Sequence, residues 1–390
     1  MTDVIRFAAV GDMMLGDGTS VGYGVRSLSE KYGYDFPFLH IRDTLRRMDF
    51  VFGNLEAPLS DLGRNNFVLS TCEFRGSPSS IPSLHDAGFR VLSLANNHML
   101  QHGRAVFSEV ALSLRKAGIM PIGLLMDNGK TKMEVIDCNG QRVGFIGYSL
   151  WPSEVYESEN NVFTMVAGDE DRILSDIHNF APQVDHLCVS IHWGYEFVNH
   201  PSNEQIELGH AMIEAGARCV LGHHPHVLQG IEQWDGGLIA YSLGNFVFDM
   251  PFHPCQESIV LELLLDQSGL IQYQIHPVKI DNRFRPTAAV DEDATNILSR
   301  MQEYNHRIID PYFEQSRRTP ACKDQSVRMK IHIQKLRDHY FIANIWKFPW
   351  RFLFTKLFRK TKNLISGSYR KNQYQLDIST REQYRKPCRD

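Results

Sequence analysis

The chain has 390 residues, of which 43% are hydrophobic and 22% charged, with 28 glycines and 17 prolines. Such ordinary usage excludes a collagen-like, low-complexity or wholly disordered chain and leaves room for a large core plus an extension. The net charge of −4 gives no reason to expect nucleic acid, and no run reaches the ~18 apolar residues of a spanning helix. The seven cysteines are scattered and form no C-x-x-C pair, which suits a reducing compartment better than a disulfide framework. Met1 to Val10 lacks a basic region followed by a long apolar run, so no secretory signal is expected. The expected location is cytoplasmic, with peripheral contact at the inner face of a membrane as an option.

Short apolar runs recur along the first 280 residues: Val4 to Val10, Phe50 to Phe52, Val91 to Ala95, Val143 to Gly147, Leu187 to Ile191, Cys219 to Leu221 and Leu238 to Leu243. Each is apolar on both faces and bounded by glycine or polar residues, which predicts buried strands. Between them lie helical spacings. Phe107, Val110, Ala111 and Leu114 follow i, i+3, i+4, i+7, and Ile206, Leu208, Met212 and Ile213 run up to Gly216, a helix stop. Ile259 to Leu265 and Ile271 to Ile280, joined at Asp266 to Gly269, predict a hairpin. Alternating strands and helices predict an α/β fold with parallel or mixed sheets and helices outside.

Six of these runs end in residues that bind metals or orient ligands. They are followed by Asp12, by Asn54 and Glu56, by Asn96, Asn97 and His98, by His192 and Glu196, by His223, His224 and His226, and by Asn245. In open α/β sheets, ligands sit beyond the carboxyl ends of the strands, so these distant residues are expected to converge. Taken singly, each has an ordinary explanation. An Asp after a strand is usually a turn residue, and a lone His is usually a hydrogen-bonded core residue. Their repetition at successive strand ends, and three imidazoles within four residues, point instead to a metal or phosphate. Carboxylates neutralise and bridge divalent cations, while imidazole suits Mn, Fe and Zn alike. One or two such ions are expected, and a pair activates water and clamps both oxygens of an in-line displacement.

At these residues the sequence resembles the capsule and poly-γ-glutamate biosynthesis family (CapA, also called PgsA), a branch of the calcineurin-like metallophosphatase superfamily. The matching stretches are Val10 to Met14, Gly53 to Leu59, Phe74 to Gly76, Ala87 to His98, His192 to Gly194 with Glu196, Gly222 to Val227, and Tyr241 to Phe246. They run in the family's order. The resemblance implies a metallophosphatase-like sandwich of two mixed β-sheets flanked by helices, with the site at one edge. It implies Asp12, Glu56, Asn97, His192, His224 and His226 as metal ligands, with Glu56 in the place of the bridging carboxylate. His98 would protonate a leaving group or steady the transition state, and Glu196 is the second residue assigned to catalysis. Asn54, His223 and Asn245 would support the ligands or touch substrate. Three positions depart from the pattern. Met14 stands where the superfamily usually has a ligand histidine, Gln101 (followed by His102) where the family often has Asp, and Arg218 where it tends to be acidic.

The expected function is a metal-dependent hydrolase or transferase acting on an anionic polymer, phosphoester or peptide in the synthesis of a capsule or similar polymer. A metal-site peptide epimerase on the same fold and a non-catalytic scaffold of a membrane-associated synthase are the alternatives. No nucleic-acid partner is expected, and the oligomeric state is left open.

The charge is uneven. Residues 1–316 hold 22 Lys and Arg against 40 Asp and Glu, a net of −18, whereas residues 317–390 hold 19 against 5, a net of +14. The predicted domains are 1–283 and a basic, aromatic-rich helical extension, 284–390, with a mobile tail. Residues 340–360 alternate aromatic and basic side chains, as in a helix lying on a membrane surface or docked on the acidic body.

Overall fold

The computed structural model describes residues 4–17, 23–64, 74–126, 128–151, 170–343, 345–347, 350 and 353–354. In chain order they form β1 (Ile5–Met13), α1 (Val25–Tyr32), α2 (Arg42–Leu45), β2 (Phe50–Leu55), α3 (Ile81–Asp86), β3 (Phe89–Ser93), α4 (Gly103–Lys116), β4 (Met120–Ile122), β5 (Glu134–Cys138), β6 (Gln141–Ser149) and α5 (Glu170–Phe180). There follow β7 (His186–His192), α6 (Asn203–Glu214), β8 (Cys219–His223), β9 (Ile231–Trp234), β10 (Gly237–Ala240), β11 (Asn245–Val247), β12 (Glu257–Asp266), β13 (Gly269–Ile280), β14 (Pro286–Ala288), α7 (Asp291–Ile309), α8 (Glu314–Arg317) and α9 (Thr319–Ala343).

The strands form two sheets. The first runs β14-β13-β12-β1-β2-β3-β4, with β11 also on β1; the second runs β5-β6-β7-β8-β10-β9. Strands β1 to β4 are parallel, as are β6, β7, β8 and β10, while β12 to β14, β5 and β9 run antiparallel at the edges. Both sheets are therefore mixed, as expected, and the predicted hairpin is β12–β13.

Alternation along each strand builds the layers. Ile5, Phe7 and Ala9 of β1 join Phe52, Phe145, Cys188, Leu221 and Leu261 in the core between the sheets. Ala8 and Val10 face the other way, onto Phe107, Val110 and Leu114 of α4. In β7, Leu187, Val189 and Ile191 pack outward with Ile177 of α5 and Met212 of α6. The central strands are covered on both faces, which is why the runs carry no polar alternation. The result is the expected sandwich, helix–sheet–sheet–helix.

The boundary expected near residue 283 falls inside a sheet: Ile280 of β13 pairs with Pro286 of β14. Beyond it, Ile297, Met301 and Tyr304 of α7 enter the core between the sheets. Their burial carries the first compact unit on to Phe341, with Ile342–Asp390 as a second unit. The extension is helical through α9, as predicted. Residues 344, 348, 349, 351, 352 and 355–360 of the aromatic–basic stretch, and all of the tail, residues 366–390, lie outside the described residues. Among the described residues no helix is long and apolar enough to cross a membrane.

Candidate metal centre

Strand ends from both sheets meet at one edge. A register shift in β1 between Ala9 and Asp12 re-aims the end of that strand, as bulges beside functional sites do. A Cβ added at Gly11 would stand 2.0 Å from the Gly244 carbonyl oxygen, so only glycine lets the two backbones approach there. The Asp12 amide then donates to Gly244 O at 2.9 Å.

Asp12 and Glu56 are fully buried. Asn54 Nδ2 donates to Asp12 Oδ1 (2.9 Å), and the His224 backbone N–H donates to Oδ2 (3.2 Å). Asn96 Nδ2 donates to Asn54 Oδ1 (3.1 Å) and to Leu55 O (2.8 Å), and its own Oδ1 accepts from the His98 N–H (3.2 Å). One amide chain thus sets Asp12 and the turn that carries Asn97 and His98. His224 and His226 both have positive φ, 98° and 58°, a conformation costly for non-glycine residues and concentrated at functional sites.

Two sets of donor atoms result. Asp12, Glu56 and His226 each offer one ligand atom within 4.8 Å of the others. Beside them, His192 Nε2 meets Asn97 Oδ1 at 3.0 Å and His224 Nδ1 at 3.1 Å. Glu56 stands between the sets. Its Oε1 is 3.7 Å from His226 Nε2, 3.9 Å from His192 Nε2 and 3.7 Å from His98 Nε2. His223 Nδ1 lies 3.2 Å from Asp12 Oδ1.

Burial alone would raise the pKa of Asp12, but His223 and His226 hold it well below the usual carboxylate range. Burial likewise pushes His226 down, yet Glu56 and Asp12 lift it to about 9. His192 and His224 are driven well below the usual histidine range, first by burial and then by neighbouring imidazoles. They are neutral at pH 7 and keep a lone pair.

These donors fit a divalent cation. Asn97 Nδ2 faces His98 Nε2 at 3.3 Å, which turns Asn97 Oδ1, an acceptor only, toward His192. Three lone-pair atoms, on Asn97, His192 and His224, therefore converge with at most two hydrogens on the ring nitrogens to share among them. Three further buried nitrogens, His192 Nδ1, His223 Nε2 and His224 Nε2, have no hydrogen-bond partner among the described residues. Each such orphan costs on the order of 1–3 kcal/mol.

The remaining expected residues are placed as follows. Asn245 Oδ1 accepts from His226 Nδ1 at 3.0 Å while its amide donates to Cys255 O at 3.1 Å. It opens β11 on the first sheet, opposite Asp12, rather than closing the strand at Leu238, so the chain has crossed between sheets to deliver it. Glu196 pairs with Lys330 of α9 at 2.8 Å. Met14, in the place of a usual ligand histidine, is buried with Ala57 and Phe248 and offers no hard donor. Gln101 Nε2 lies 2.7 Å from His98 Nδ1, so an amide holds the imidazole where a carboxylate is more usual. Arg218 precedes β8 at the end away from His223 and donates to Gly236 O at 2.8 Å, outside the site.

Sequence reasoning missed the aromatic faces. Phe74 stacks on His98 with centroids 5.1 Å apart, Trp151 lies 4.5 Å from His224, and Phe248 lies 4.9 Å from His226. No periodicity in the sequence brings these pairs together.

Fold and site together define a two-sheet sandwich with a buried carboxylate–imidazole–amide centre suited to a metal. The chain belongs to the family described as "Bacterial capsule synthesis protein PGA_cap", whose profile matches residues 6–250. It is 30% identical over 302 residues to the "Capsule biosynthesis protein CapA" of Bacillus anthracis, covering 74% of this chain and 71% of that one. It is 29% identical over 280 residues to the "PGA biosynthesis protein CapA" of Bacillus subtilis (strain 168), covering 71% and 72%. Among solved structures, a putative 5′-nucleotidase from Staphylococcus aureus aligns with a TM-score of 0.45 and 16% identity, over 77% of this chain and 58% of that one.

Proposed function

We propose that this chain is a metal-dependent hydrolase or transferase in the biosynthesis of a capsule or poly-γ-glutamate-type polymer. The observation that carries the reading is the convergence of Asn97 Oδ1, His192 Nε2 and His224 Nδ1 beside the Asp12–Glu56–His226 group. Asp12, Glu56 and His226 would hold one ion, and Glu56, Asn97, His192 and His224 a second. A bound divalent ion of this kind supplies a water of lowered pKa and polarises a phosphoryl or acyl oxygen.

The chain's own residues do the rest. Asn54 fixes the Asp12 carboxylate, and Asn245, anchored on the Cys255 carbonyl, fixes the His226 ring. Such outer partners orient ligands and sharpen their affinity. His98 lies 3.7 Å from Glu56 with Gln101 beside its Nδ1, where it would pass a proton to a leaving group. Phe74 and Trp151 cover the faces of His98 and His224 and keep water from them.

The test is metal-stripped protein, resupplied in turn with Mn, Fe(II) and Zn, against phosphomonoesters, phosphodiesters and γ-glutamyl peptides. Turnover of one class that needs the metal and falls about 100-fold or more in His98→Ala is the expected result. No metal-dependent turnover across the panel would count against it.

A further inference from the structure

We propose that helix α9 completes the site. Lys330, held at its mouth by Glu196, is a specificity-determining residue that binds an anionic group of the substrate, a carboxylate or a phosphate. The word substrate rests on the metal-dependent reading above, whereas the anion binding does not.

Helix α9 lies beyond residues 6–250, the family-matched stretch. Met329, Ile333, Leu336 and Tyr340 recur along one face of it and pack on Phe197, Val227, Phe252 and Cys255. Three of these, Phe197, Val227 and Cys255, belong to the site's own framework. Phe197 follows Glu196, and its amide donates to the carbonyl of Pro225, between His224 and His226, at 2.8 Å. Val227 follows His226, and the Cys255 carbonyl holds Asn245. Lys330 and Arg337 each stand one position round the helix from the apolar stripe and seven residues apart, on one side of it. Lys330 Nζ reaches Glu196 Oε2 at 2.8 Å, with the two side chains 41% and 27% exposed. The pair therefore opens to solvent, whereas Asp12, Glu56 and His224 are sealed.

The ordinary explanation is that the ion pair docks the helix. A part-exposed pair contributes little to docking, and the apolar stripe already supplies it. The charge arrangement has a more direct use. Residues 1–316 carry a net of −18, so an anion approaching Glu196, Glu56 and Asp12 is repelled. The fields of both Lys330 and Arg337 reach Glu196, and that of Lys330 also reaches His224. Among the described residues, Lys330 and Arg337 thus set two cations against Glu196, whose carboxylate orients Lys330.

The experiment titrates full-length wild type, Lys330→Ala and Lys330→Arg with inorganic phosphate and separately with glutarate, each with and without manganese. Manganese affinity is measured in parallel. We expect Lys330→Ala to weaken one of the two anions about tenfold with or without the metal, Lys330→Arg to restore it, and manganese affinity to be unchanged. The anion affected tells phosphate from carboxylate recognition. Equal affinities in wild type and Lys330→Ala, no anion binding by wild type, or a loss that Lys330→Arg leaves in place would overturn the proposal. A fall in manganese affinity in Lys330→Ala would also overturn it, making Lys330 a support of the metal site. Failure of wild type to bind manganese sinks the metal reading alone, because the metal-free anion titration still decides this one.

Discussion

His226 Nδ1 lies 3.4 Å from Asp12 Oδ2, while Nε2 of the same ring lies 3.7 Å from Glu56 Oε1. One imidazole thus spans two buried carboxylates supplied by different strands. Without a metal, its proton is a counter-charge that both carboxylates share. Around it stand Glu56 after β2, Asp12 on β1 and Glu196 after β7, which raise it to about 9 against burial, and Asn245 on β11, which accepts from its Nδ1. A raised histidine stabilises fully below its unfolded value, about 6.5, and the contribution is lost as pH rises through the folded one. Metal-stripped wild type should therefore lose on the order of 2–4 kcal/mol more than His226→Asn between pH 6 and 10, read by urea unfolding. Asparagine tolerates the positive φ at this position, so backbone strain does not confound the comparison. Parallel pH profiles would show that the ring does not bridge the carboxylates.

Gln101 offers a second test. Its amide meets His98 Nδ1 at 2.7 Å. Gln101→Leu removes that partner without touching a ligand, so activity should fall about 10- to 100-fold with metal content unchanged. Loss of metal in this variant would instead make Gln101 part of the metal's support.

Gly11→Ala tests the crossing of the two sheets. A methyl there meets backbone, at 2.0 Å from Gly244 O, so no side chain can swing away. The variant should lose at least about 2–3 kcal/mol in thermal or denaturant unfolding, and metal affinity should fall with it because Asp12 is the next residue. Wild-type stability would mean that the backbones do not approach as described.

The convergence of these residues was legible because each sits where an apolar run stops. The runs before Asp12, Asn54, His192 and His223 end as β1, β2, β7 and β8 do, and strand ends on one edge of layered sheets converge. Asn245 was found for the wrong local reason. It was read as the end of the run from Leu238, yet it opens a separate strand on the other sheet, because Gly244, at φ 67°, turns the chain between them. The boundary at 283 failed for a related reason. Charge shifts along the chain, but burial of Ile297, Met301 and Tyr304 is a long-range contact that composition does not record. Lys330 and the Cys255 carbonyl act through tertiary neighbours alone, so no pattern in the sequence marks them.

The most direct measurement is metal stoichiometry. Full-length protein, stripped and then dialysed against Mn, Fe(II) or Zn, is analysed for elemental content alongside folded Asp12→Asn and Glu56→Gln. One or two equivalents in wild type, with at least one lost in each variant while circular dichroism stays native, is the expected result. Wild type that takes up no divalent ion, or variants that hold as much as wild type, would contradict the account.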